Sequence, residues 1–164
     1  MKNRFWQIFG GTLLSLLMIG GAAHVLVTAQ RNENPDRGIE GTWITTVTQR
    51  NCATGAAIRT FQGVLTFNKG GTLVGDSTVV SPALKTPSFG VWRRENGWRD
   101  YSFAFMFYRF NPDGSFAGSQ KVRQSLVLGE SGDDFTTTGT LEVFDDAGNA
   151  IASSCATSVG VRFE

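Results

Sequence analysis

The chain has 164 residues, a formal net charge of +1, two cysteines and one histidine. Lys2 and Arg4 are the only charges before Gln30, so residues 30–164 carry a formal −1. That balance argues against nucleic acid, which needs a basic face, and the chain offers no polybasic segment for an anionic membrane surface.

In chain order, the first element is a leader. Lys2 and Arg4 precede an apolar run from Ile8 to Ile19, and small residues follow at Gly20-Gly21-Ala22-Ala23. Val27-Thr28-Ala29 offers the small side chains a signal peptidase reads, so residues 1–29 are expected to be a signal peptide. Gly21-Ala22-Ala23 is an alternative cleavage site. An uncleaved anchor is the competing reading, because Ile8 to Val27 approaches the roughly 20 residues that cross a bilayer. Four glycines and His24 within that stretch weaken it. Export implies a periplasmic or secreted protein with no membrane insertion after cleavage.

His24 lies in the leader, so residues 30–164 contain no histidine. This removes Ser-His-Asp and Cys-His catalysis and every His-ligated metal site. No coenzyme motif is present, and no catalytic residue, metal ligand or cofactor is assigned.

Residues 30–38 are polar and read as a flexible lead-in. Residues 39–164 read as one all-β domain. Runs rich in Val, Thr, Phe and Ile lie near 40–50, 57–68, 72–80, 88–95, 98–110, 115–128, 135–144 and 149–163. Gly, Asn, Asp and Pro separate them, as at Lys69-Gly70-Gly71, Asn111-Pro112-Asp113-Gly114 and Asp145-Asp146-Ala147-Gly148. Short links make sequential strands pair, so the expected fold is an eight-stranded antiparallel up-and-down barrel. A two-sheet sandwich is the alternative.

Cys52 and Cys155 are the only cysteines, and an even count in an exported chain reads as a disulfide. Cys52 follows the first run and Cys155 lies early in the last. Closing strand one on strand eight brings them together, whereas an open sheet separates them.

Asn96-Gly97 reads as a two-residue type I′ hairpin. It sets Arg93 opposite Asp100, Trp92 opposite Tyr101 and Gly90 opposite Phe103. The Arg93–Asp100 pair belongs in water, which turns the aromatic face inward. The expected interior comprises Phe61, Leu65 and Phe67 with Trp92, Tyr101, Phe103, Phe105 and Phe107. Arg94 and Arg99 share that parity and are expected to rim one mouth, where they would pair with an anionic head group.

Gly41-Thr42-Trp43 resembles the Gly-x-Trp signature of lipocalins and the wider calycin group. The resemblance implies that Trp43 closes one end of the barrel and that Arg162 packs over its ring. It covers the strand plan from about residue 38 to 164, and its specific motif is Gly41, Trp43 and Arg162. No C-terminal helix and no mid-chain family motif accompany it, so the chain is lipocalin-like rather than a lipocalin.

Three functions compete. The first is a carrier that binds a small hydrophobic or amphipathic molecule in the barrel. The second is a barrel isomerase or cyclase like allene oxide cyclases and dirigent proteins, with Tyr101, Asp76 and Glu142 as candidate acid–base groups. The third is an envelope interaction module with a filled barrel, acting through its surface and Trp98.

Overall fold

The computed structural model describes residues 38–164. The expected signal peptide and nearly all of the lead-in lie outside the described residues. Eight strands run in order: β1 (Gly41–Arg50), β2 (Ala57–Asn68), β3 (Thr72–Ser77), β4 (Ser88–Arg94), β5 (Asp100–Phe110), β6 (Phe116–Leu128), β7 (Asp134–Phe144) and β8 (Ala150–Arg162). A single 3-10 turn, Pro82–Leu84, interrupts the β3–β4 connection. No helix among the described residues is long and apolar enough to cross a membrane.

Every strand pairs antiparallel with its neighbour in sequence, and the meander closes into a barrel. Closure runs from Trp43 opposite Arg162 to Arg50 opposite Cys155. Alternation of side chains dictates which residues turn inward. In β6, Gln120, Val122, Gln124, Leu126 and Leu128 are buried, while Arg123, Ser125 and Val127 between them are exposed.

Cys52 and Cys155 form the disulfide, with Cα atoms 5.0 Å apart. It braces the β1–β8 seam at the end of the barrel that holds the β1–β2 and β3–β4 connections.

The β4–β5 hairpin departs from the expected register. Arg93 stands opposite Ser102, Trp92 opposite Phe103 and Gly90 opposite Phe105, two residues from the expected pairing. The link is longer than the Asn96-Gly97 turn alone and is closed by the Glu95 N–H donating to the Asp100 carbonyl at 2.8 Å. Two anchors draw Trp98 and Arg99 out of the strand. The buried Tyr101 hydroxyl donates to the Trp98 carbonyl at 3.0 Å, and Arg99 exchanges bonds with the Leu128 backbone. Arg93 therefore pairs with Glu95 at 2.7 Å rather than with Asp100. A shift of two conserves parity, so the aromatic face still points inward.

One half of the interior is solid. Trp43, Phe67, Leu73, Leu126, Leu128 and Phe135 are almost fully buried and pack as one cluster. Arg162 seals this end. Its guanidinium lies 4.2 Å from the Trp43 ring centroid and donates to the carbonyls of Gly38, Glu40 and Gly132. The Trp43 indole N–H donates to the Ile39 carbonyl at 2.8 Å.

Candidate functional site

The other half of the barrel holds a cavity of about 60 Å³. A single water needs roughly 10–15 Å³ on this measure, so the space suits several waters or one small ring. Drug-sized ligands occupy pockets of roughly 300 Å³ and more, so a long chain does not fit without rearrangement.

The strand pleat explains the wall. On β5 the inward positions Phe103, Phe105 and Phe107 line the cavity, and Phe61 and Leu65 do so on β2. The Phe103 and Phe105 planes are within 7° of parallel, with centroids 6.1 Å apart. Alongside them are neutral polar groups from other strands. Thr45, Ser88, Gln120 and Gln124 all line the space and are all buried. Gln124 stands opposite Phe103 in the β5–β6 ladder, Val122 opposite Phe105 and Gln120 opposite Phe107. Phe103 also belongs to the solid half, so Gln124 sits at the cavity floor and Gln120 nearer the open end.

Five of the aromatic and aliphatic residues expected to contact a ligand therefore line this cavity. Phe67, Trp92 and Tyr101 also point inward but pack in or against the solid cluster below it. Arg94 and Arg99 rim the closed end, not the open one. Arg94 donates to the Tyr101 hydroxyl at 3.1 Å and covers its ring. Arg99 donates to the Leu128 carbonyl at 2.6 Å and pairs with Glu130 at 3.2 Å. Both groups cap the filled half. The hairpin tip lies at the Trp43 end, so the mouth that they rim is the filled one.

At the open end the charged residue bordering the cavity is Asp76, on the outward parity of β3. It forms an ion pair with Lys85, whose side chain is only 1% exposed against 54% for Asp76. The Lys85 ammonium lies 5.7 Å from the Phe107 ring centroid. Thr86 ties this connection to β5. Its N–H donates to the Tyr108 carbonyl at 3.0 Å, and its hydroxyl accepts from the Tyr108 N–H at 3.1 Å. Partial burial pushes the Asp76 carboxyl up. Donation from Lys85, donation from the Ser77 N–H and the nearby ammonium charge together outweigh that and hold it below the ordinary carboxylate value.

The three candidate acid–base residues do not converge. Tyr101 lies at the closed end, and Glu142 lies on the outer face, paired with Arg123 at 2.5 Å. Of the three, only Asp76 borders the cavity. Among the described residues no cluster of three or more His, Cys, Asp or Glu side chains could hold a metal. Asp145 instead caps its own hairpin, accepting from the Asn149 backbone at 2.7 Å and its side chain at 3.0 Å.

Sequence reasoning passed over the polar wall. Gln120, Val122 and Gln124 alternate into Leu126 and Leu128, so their inward parity was readable once strand β6 was recognised. Lys85 left no such signal, because a connecting segment has no period to read.

No family model matches this chain, and no curated protein matches it in sequence. What geometry establishes is the architecture, a closed eight-stranded antiparallel meander barrel consistent with a calycin-like barrel.

Proposed function

We propose that this is an exported, lipocalin-like barrel that binds a small hydrophobic or amphipathic molecule in the half of its interior away from Trp43. The observation that carries the reading is the cavity itself. It joins an aromatic wall to buried neutral polar groups inside a closed barrel, the combination that fixes small ligands by shape and orients them by hydrogen bonds. The Gly41-Thr42-Trp43 start and the Arg162 contact on Trp43 support the lipocalin-like assignment. The disulfide favours an oxidising compartment, in keeping with the leader and a periplasmic or secreted destination. The ligand is small, because the solid half leaves no room for a long hydrocarbon tail.

Native mass spectrometry of the protein purified from its own host, followed by denaturing extraction, tests this. The expected result is a small bound molecule released on unfolding and lost from an Ala156→Phe variant, whose new ring fills the cavity. A clean unliganded mass, together with failure to take up toluene or phenol, would overturn the reading and favour a filled barrel acting through its surface.

A further inference from the structure

We propose that the cavity selects a small flat ring bearing a hydroxyl, a phenol, over the same ring without one. The inference rests on the small-ligand reading above and adds the ligand's chemistry to it. Its starting point is Gln124. This side chain is 7% exposed and lines the cavity, yet its Oε1 is buried with no hydrogen-bond partner. Buried polar atoms in folded proteins are nearly always paired, and an orphan in a cavity wall is an acceptor held ready for a donor. A hydroxyl suits either end of the amide, since it both donates and accepts.

The surroundings narrow the class. Thr45, Ser88 and Gln120 are neutral, and the nearby Asp76 carboxylate is already engaged by Lys85. A charged ligand would therefore meet no free counter-ion in the wall and would lose its hydration on entry. Above Gln124, Phe105 stands opposite Val122, and Leu141 completes an apolar slot at this level. The parallel planes of Phe103 and Phe105 suit a single orientation of a flat ligand. The hydroxyl of a phenol reaches the floor at Gln124, its ring occupies the Phe105 level, and a para substituent points past Phe107 and Gln120 toward the open end.

Phenol and toluene are near-isosteric and differ in the one group at issue. Their affinities for the oxidised protein, purified from its host and stripped of small molecules, are measured by calorimetry. Phenol is expected to bind tenfold or more tightly than toluene, the scale set by leaving a buried acceptor unpaired. Gln124→Leu conserves volume and removes the acceptor, so the preference is expected to reverse. Equal or tighter toluene binding to the unaltered protein overturns the proposal, as does a Gln124→Leu variant with an unchanged ratio. If neither compound binds and the protein carries no small molecule from its host, the small-ligand reading itself falls; if a host molecule co-purifies while neither compound binds, the phenol assignment alone falls. Should Gln124→Leu fail to fold, 4-ethylphenol against 4-ethyltoluene on the unaltered protein decides the matter on the same ratio.

Discussion

Lys85 and Asp76 form an unequal pair, one buried and one half in water. Removing the buried partner and removing the exposed one therefore have different costs. Asp76→Ala strands an ammonium in a nearly dry site and is expected to destabilise the fold by roughly 3 kcal/mol. Lys85→Met replaces the chain with an apolar one and leaves a carboxylate that water still reaches, so its cost is expected to stay within about 1 kcal/mol. Urea titration of both variants checks the order. The pair also sets an acid response. The Asp76 carboxyl titrates lower in the folded protein than in the unfolded chain, so the unfolded chain binds more protons between those two values. The contribution is whole above the ordinary aspartate range and is lost as pH falls through the lower folded value. Asp76→Asn is expected to flatten that limb of the stability profile below about pH 4. An unchanged acid limb would show that the pair contributes nothing.

Arg162 acts by geometry as much as by charge. One planar fork meets three carbonyls while covering the Trp43 ring. An ammonium cannot span that arrangement, so Arg162→Lys is expected to lose most of what Arg162→Ala loses. The loss for Ala is about 2–3 kcal/mol from charge-assisted bonds to carbonyls that are in part buried. Thermal unfolding of the two variants distinguishes a fork from a point charge.

Among the strands, two glycines matter for what they leave out. A Cβ at Gly90 would collide with the Ala104 carbonyl and Phe105, and one at Gly139 would collide with the Arg123 carbonyl and the Gln124 backbone. Both positions let neighbouring strands bend closely around the aromatic interior. Gly139→Ala is expected to cost about 1–3 kcal/mol through forced displacement, and it shifts the strand segment that carries Gln124. Denaturant midpoints and calorimetric phenol affinity report the two effects separately.

At this scale the sequence was most informative where composition alternates with punctuation. Eight runs of β-forming residues between Gly, Asn, Asp and Pro became eight strands in the expected order. Parity was equally readable, because period two survives any even shift. The hairpin register was not, because a tertiary anchor overrode the local turn preference of Asn96-Gly97. Leu128, 29 residues along the chain, holds Arg99 from the side, a contact that no window of a few residues contains, while the Tyr101 bond to Trp98 is local. The open end was unreadable for the same reason. Arg94 and Arg99 carried the visible charge, yet at this end it is Lys85 that is buried, against Asp76 and the Phe107 ring, and only the folded β3–β4 connection puts it in place.

For the whole molecule, closure and the disulfide are separate devices on one seam. The β1–β8 ladder runs from Trp43 to Arg50, and the disulfide joins residues 103 apart in sequence. Loop-entropy reasoning gives such a link about 4–5 kcal/mol, largely through the unfolded chain. The Cys52→Ser, Cys155→Ser double variant is therefore expected to remain a closed barrel with a lower denaturant midpoint. Retained near-ultraviolet dichroism with reduced stability checks both halves of that statement. Loss of the native spectrum would mean that the ladder alone cannot hold the seam.

The meeting of β1 and β8 also places the two ends of the domain side by side. The backbone carbonyl of Gly38 accepts from the Arg162 guanidinium at 2.9 Å. A short bridge from Glu164 back to Gly38 would therefore span little distance, and the backbone could be opened elsewhere. The exposed Asn111-Pro112-Asp113-Gly114 turn is a suitable cut, because it separates β5 from β6 without entering either strand. A circular permutant starting at Ser115 is expected to fold to the same barrel, with its ladders intact and its chain order rewritten.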